Sequence, residues 1–265
     1  MDYKIHFLFY YLLFLFTWTV GAFLISKGLR WFAESYLNIL ALEKGGKGSL
    51  KAKLKRYLAF QLIMIFSIIF FRNFYIIFII AIFSVALFEF IYQIAESTFG
   101  SLKKTIGIAS GIVIAVIAAS SYIYLSFLIN YKILIFLLFV LSVSDTFSQV
   151  VGESLKGPRL FPLVSPNKTW SGFIGGFIFS ILASISFYHV FNLSSLPFYL
   201  ILLNAVVIFT CGFIGDASSS VLKRRIGIKD FSQIMGAQGG MLDRLDSMII
   251  LGPVAVIMFT LYEAG

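Results

Sequence analysis

Residues 215–247 read GDASSSVLKRRIGIKDFSQIMGAQGGMLDRLDS, and this stretch is unlike the chain around it. The protein is 60% hydrophobic, yet these 33 residues hold four of its twelve carboxylates: Asp216, Asp230, Asp243 and Asp246. They also hold five of its twenty-one Lys and Arg: Lys223, Arg224, Arg225, Lys229 and Arg244. Long apolar segments flank the stretch on both sides, which puts these charges where membrane meets water. Carboxylates able to hold Mg2+, beside cations able to hold phosphate, point to chemistry on a phosphorylated substrate. Asp243 and Asp246 are three apart, hence on one face of a helix, and Asp216 closes the preceding span at the same depth. Three carboxylates at one depth repel each other unless a cation sits among them. Mg2+ suits such a set because it takes oxygen ligands, keeps some waters and bridges to phosphates. The alternative is ordinary solvated pairing, Asp243 with Arg225 and Asp246 with Arg244. Gly236, Gly239 and Gly240 weigh against it, since a mere connection between spans has no need of close backbone approach.

Working outward, a 265-residue chain with 18% aromatic and 12% charged residues lies outside the soluble globular range. The expected fold is an all-α polytopic membrane protein of about eight transmembrane helices, with its active site at the cytoplasmic face. The spans fall near 5–26, 57–71, 74–93, 106–126, 131–145, 172–191, 197–215 and 247–262. Residues 28–43 are shorter and amphipathic, the pattern of an interfacial helix. The whole chain, 1–265, reads as one integral membrane domain, with N-terminal spans over 1–130 and catalytic spans and loops over 131–265. The first apolar run has no small-residue cleavage site after it and is expected to be retained as a span. A single Cys, Cys211, excludes an internal disulfide and any Cys-based metal site. The formal charge of +9 belongs to membrane loops rather than to a nucleic-acid surface.

Loop charge sets the orientation. Loops 27–56, 94–105, 146–171 and 215–246 carry 8, 2, 3 and 5 Lys and Arg, 18 of the 21, while the other side keeps Lys4, Arg72 and Lys132. The positive-inside rule then places the four rich loops in the cytoplasm and both termini outside, in a cell inner membrane. The basic run 46–56, GKGSLKAKLKR, suits anionic headgroups or topology rather than a specific ligand. Glu89 lies near the cytoplasmic end of the third span, where a carboxylate needs a partner or water; it is either a ligand or a structural partner. His6 and His189 sit near outer span ends as packing residues.

A second polar loop lies on the same face. It starts at Asp145, the expected last residue of the fifth span, and contains Ser165-Pro166-Asn167-Lys168-Thr169-Trp170. A turn leading into a helix N-terminus presents free backbone N–H groups that suit a phosphate, and Lys168 adds charge. Taken by itself, the same hexapeptide is also what a capping turn with an interfacial Trp would look like.

These residues resemble the CTP:phosphatidate cytidylyltransferases, the CDP-diacylglycerol synthases. Ser220, Lys223, Arg224, Lys229, Asp230, Gly239, Gly240, Asp243, Arg244 and Asp246 match the pattern S-x-x-K-R-x(4)-K-D, a short spacer, then H-G-G-x-x-D-R-x-D, with spacing kept across all 27 positions. The first loop matches a second element of that family, SP-x-K-T-W before a Gly-rich span start, together with Asp145-Thr146. The resemblance covers about 140–250. Two positions depart from the pattern: Gln238 stands where the His is usual, and Ser219 where an acidic residue precedes the signature Ser. Gln238 can hydrogen-bond but carries no charge, and Ser219 means one fewer negative ligand.

The resemblance implies that a lipid phosphate, phosphatidate, attacks the α-phosphorus of CTP to give CDP-diacylglycerol and pyrophosphate. It implies Mg2+ on Asp216, Asp243 and Asp246, with Asp145 as a fourth candidate and room for a second cation. Lys223, Arg224 and Lys229 would neutralise the triphosphate, and Asp230 would orient Lys229 or Arg225. Lys168, with Ser165 and Asn167, would hold the lipid phosphate or the other end of the nucleotide. Ser220, Gln238, Gly239, Gly240 and Arg244 fall among the expected substrate contacts. The partners implied are CTP, the lipid and the membrane, with no nucleic acid and a homodimer left open. The same residues would serve a CTP-dependent lipid kinase or a cytidylyltransferase for a polyprenyl phosphate. A transporter or a non-catalytic relative are the alternatives of another class.

Overall fold

The computed structural model describes residues 2–36, 62–193, 196–235 and 239–264. Helices dominate: α1 (Asp2–Tyr36), α2 (62–70), α3 (Arg72–Glu96), α4 (Ser101–Leu128), α5 (Tyr131–Leu155), α6 (Trp170–Phe191), α7 (Phe198–Arg225) and α8 (Leu242–Ala264). Seven of them, all but α2, are long and apolar enough to cross a bilayer. The chain is an integral membrane protein, for hydrocarbon leaves helices as the way to satisfy the backbone of such segments. Large apolar side chains such as Phe16, Ile77, Val113 and Phe127 stand exposed on the helix surfaces, as lipid requires. The expected span 57–71 is described only in its second part, α2, and the basic run 46–56 lies outside the described residues.

Three expectations need correction. The stretch from 28 continues α1 to Tyr36 instead of starting a separate interfacial helix, and residues 37–43 lie outside the described residues. Spans read as ending at 145 and 215 run on as helix to Leu155 and Arg225, so Asp145 and Asp216 lie within helices rather than closing them. The last span begins at Leu242, not 247, because Asp243 and Asp246 are accommodated in its first turns. Polar residues had suggested loop at these places, but helix geometry tolerates them on a wetted face.

The chain folds as two compact units, residues 1–47 with 135–209, and 48–134 with 210–265. In the first, aromatic rings from α1 pack on α5 and α6: Tyr11 with Phe139, Phe14 with Phe187 and Trp18 with Phe147, at centroid distances of 6.2, 6.0 and 5.8 Å. Phe147 and Phe179 stack at 3.8 Å. The Gly-rich start of α6 lies against α5. A Cβ on Gly172 would meet the Ser148 carbonyl at 2.6 Å, and one on Gly175 would meet Val151 at 2.6 Å. Small residues permit this approach, which is how membrane helices gain packing energy without a hydrophobic drive between them.

In the second unit α8 packs against α3 and α4. Gly252 makes room for the Tyr122 ring, 2.8 Å from where its Cβ would stand. Pro253 leaves a carbonyl in the preceding turn of α8 without its helical donor, and the Tyr122 hydroxyl donates to the neighbouring Met248 carbonyl at 3.2 Å.

Candidate active site

In the second unit the site begins where α7 ends. Gly227, at φ +77°, terminates the helix: Ile228 N–H donates to the Lys223 carbonyl at 2.9 Å and Gly227 N–H to the Arg224 carbonyl at 3.2 Å. This left-handed cap satisfies carbonyls the helix would leave bare, and Lys223, Arg224 and Arg225 in the last turn complement its dipole. Arg224 also donates from Nη1 to the Ile228 carbonyl at 2.9 Å.

Two carboxylates then hold the connection to α8. Asp243 Oδ1 accepts from Lys223 Nζ at 2.7 Å, and both side chains are buried. Its Oδ2 accepts from the backbone N–H of Phe231 at 2.9 Å and of Gly240 at 2.8 Å. Glu89, only 3% exposed on α3, accepts from the Ser232 hydroxyl at 2.6 Å and from the N–H groups of Met241 at 3.0 Å and Leu242 at 2.9 Å. A buried carboxylate here satisfies donors that the start of α8 would otherwise leave unpaired, and its charge suits the positive end of the helix dipole. Phe231, buried, anchors the connection against α3, with its carbonyl taking a bond from Gln93 Nε2 at 2.8 Å.

The paired glycines are required by these carboxylates. Gly239 has φ +85°, and its Cβ would lie 2.7 Å from an Asp243 oxygen. A Cβ on Gly240 would lie 2.5 Å from a Glu89 oxygen. The close backbone approach expected of Gly239 and Gly240 is therefore present, and it is made to the protein's own carboxylates, while Gly236 lies outside the described residues.

Asp216 and Asp246 flank the crossing of α7 and α8. Gly215 lets the helices touch, because a Cβ there would stand 2.5 Å from the Asp246 carbonyl and 2.7 Å from Ser247 Cα. The Ser247 hydroxyl donates across to the Gly212 carbonyl at 3.2 Å. Asp216, Asp243 and Lys223 all lie close enough to Asp246 to act on its charge. Asp246 Oδ1 accepts from the Ser247 N–H at 2.7 Å. Ser220 and Lys223, four and seven residues after Asp216, continue the same face of α7 and are buried.

The expected residues thus separate into groups. Asp216, Lys223, Asp243 and Asp246 come together, with Ser220 beside them. Asp243 pairs with Lys223 rather than with Arg225, its partner in the solvated alternative. Among the described residues no three carboxylate, imidazole or thiol groups form a ready-made metal cage. The Asp216–Asp246 pair does fit Mg2+, which is commonly held by one or two carboxylates together with water and substrate phosphate. Lys229 and Asp230 are exposed on the connection, Arg244 is half-buried, and Gln238 lies outside the described residues. Glu89 is the organising residue that the signature does not contain. A lone carboxylate in a span was its only signal, since its partners, the Ser232 hydroxyl and two backbone N–H groups, are 143 to 153 positions away.

In the first unit, Ser165–Thr169 form strand β2, paired antiparallel with β1 (Arg159–Phe161) in a hairpin, where a turn had been expected. The turn itself lies ahead of it, closed by Val164 N–H donating to the Phe161 carbonyl at 3.3 Å. Asn167 is exposed and Ser165 and Lys168 are half-buried. The pairing is irregular, since two steps along β1 from Arg159 to Phe161 are met by four along β2 from Ser165 to Thr169. Thr169 caps α6, its Oγ1 accepting from Gly172 N–H at 3.2 Å. Asp145 is exposed on α5.

The sequence profile described as "Cytidylyltransferase family" matches residues 4–262. The chain is similar to the phosphatidate cytidylyltransferase of Aquifex aeolicus, 36% identical over 127 residues, covering 47% of this chain and 46% of that protein. The enzyme of that name from Staphylococcus haemolyticus is 37% identical over 121 residues, 45% of each chain. That from Rickettsia bellii is 35% identical over 160 residues, 57% of this chain and 68% of the relative. The chain thus aligns with about half the length of the first two and two thirds of the third. A signature kept in spacing, set on helices that bring its acidic residues together, and matched by a profile from end to end, makes the chain a member of the cytidylyltransferase family.

Proposed function

We propose that the protein transfers CMP from CTP to phosphatidate, forming CDP-diacylglycerol and pyrophosphate at the cytoplasmic face of the inner membrane. The observation that carries this reading is the junction of α7 and α8, where Asp216 and Asp246 lie beside the Lys223–Asp243 pair. A phosphate oxygen of the lipid forms a bond to the α-phosphorus of CTP as the α–β bridging bond breaks and pyrophosphate leaves. The second pKa of a phosphate monoester is near 6, so the nucleophile is already mostly dianionic and needs no general base. The protein's task is positioning and charge neutralisation.

Asp216 and Asp246 are assigned to Mg2+. Mg2+ held there would neutralise triphosphate charge and orient it. Lys223 and Arg224 end α7 as cations toward the pyrophosphate, with Lys229 on the connection. Asp243 keeps Lys223 in place and braces Gly240. Lys168, with Ser165 and Asn167, is assigned to the lipid phosphate.

The test is incubation of purified protein with phosphatidate, Mg2+ and CTP labelled at either end. Label from the α-phosphate should enter the lipid as pyrophosphate is released. Transfer of γ-label instead would make the protein a CTP-dependent lipid kinase, and transfer of neither would sink the reading.

A further inference from the structure

We propose that the tip of the β1–β2 hairpin, Phe161-Pro162-Leu163-Val164, is a wedge that seats in the boundary between acyl chains and anionic headgroups where α6 enters the bilayer. With Leu160 before it, the tip completes a run of five consecutive apolar residues between Arg159 and Ser165. Leu163 is 94% exposed, and Phe161 and Pro162 are exposed beside it.

The tip is mounted rather than loose. Lys156 and Gly157, at φ 55° and 108°, reverse the chain after α5, and Lys156 N–H still donates to the Gly152 carbonyl at 3.0 Å. The Ser171 hydroxyl donates to the Lys156 carbonyl, and Trp170 N–H donates to the Pro158 carbonyl at 3.0 Å. Arg159 pairs with Thr169 and Phe161 with Ser165 across the strands. The hairpin base is therefore tied to the first turn of a membrane span.

Two features choose lipid as the occupant. Strand β2 has five residues, so the tip stands within roughly 16 Å of Trp170, the first residue of α6, at about 3.3 Å per residue. Trp170 is itself exposed, as aromatic residues are at the interfacial belt. Lys156 and Arg159, both exposed at the hairpin base, complement anionic headgroups. Apolar tip, basic collar and aromatic neighbour together have the composition of an interfacial anchor. The inference does not depend on the reaction proposed above.

The experiment places an environment-sensitive fluorophore on Leu163→Cys in the full chain, reconstituted in phosphatidylcholine–phosphatidylglycerol vesicles. Cys211 is buried, so the surface thiol takes the label. The same probe on Arg225→Cys, an exposed position of α7, is the aqueous reference. The expected result is blue-shifted emission at 163 relative to 225, quenched by lipids carrying a doxyl group near the headgroup. Combining Lys156→Glu with Arg159→Glu should weaken that quenching. Emission at 163 matching the reference would overturn the proposal. So would a blue shift that doxyl lipids leave unquenched, which would mean that protein covers the tip. Quenching unchanged by the charge reversals would remove the anionic headgroups from it.

Discussion

Asp246 and Glu89 are both carboxylates in membrane helices, and their surroundings give them opposite work. Asp246 has Asp216 and Asp243 acting on its charge, with one oxygen committed to the Ser247 N–H. Such like-charge crowding is tolerated where a cation completes the set. Asp246→Asn should therefore lower CMP transfer by at least about 100-fold and leave the thermal midpoint near that of the parent. A variant that loses stability as much as activity would make Asp246 structural. Glu89, in contrast, is spent on three donors of the α7–α8 connection. Glu89→Ala strands those donors in a buried place and should cost about 3 kcal/mol, from about 1–3 kcal/mol per unsatisfied group with partial relaxation. Thermal unfolding in detergent reads this, and Glu89→Gln, which keeps one acceptor oxygen and turns the other into a donor, should fall in between.

At the scale of the elements, glycines separate two kinds of constraint. Gly215 has ordinary helical backbone and no room, with α8 backbone 2.5 Å from its missing Cβ. Gly227 has room on every side and an unusual backbone, at φ +77°. Gly215→Ala should push α7 from α8 at the cost of overpacking, about 1–3 kcal/mol, and should lower turnover strongly by parting Asp216 from Asp246. Gly227→Ala should cost only about 1 kcal/mol for the left-handed conformation, with turnover nearly kept. Parallel melting and transfer assays distinguish the two; equal losses of turnover would refute the importance of the helix crossing. The start of α8 also shows how far local reading reached. The three-residue spacing of Asp243 and Asp246 predicted one helical face, and helix forms there. The same spacing could not tell that Asp243 turns to Lys223 and two backbone N–H groups, because those donors belong to another helix and a loop.

For the molecule as a whole, the distribution of Lys and Arg predicts which loops meet the cytoplasm. Asn130→Cys, exposed between α4 and α5, should react with a membrane-impermeant thiol reagent in intact spheroplasts. Arg225→Cys should react only after permeabilisation, and the buried Cys211 sets the background. The reverse pattern would invert the orientation and separate the site from cytosolic CTP.

The amino-acid sequence alone determined that this is a helical membrane protein, which segments carry its charge and which family its signature joins. Those properties are local, since hydropathy, helical period and motif spacing are written within a few tens of residues. Tertiary structure decided which carboxylates face each other and which are spent on holding the chain. Glu89 reaches Met241 and Leu242 across separations of 152 and 153 residues, and Gly215 matters only because α8 crosses there. Such pairings depend on which helices pack and at what closeness, and no stretch of either partner carries that information by itself.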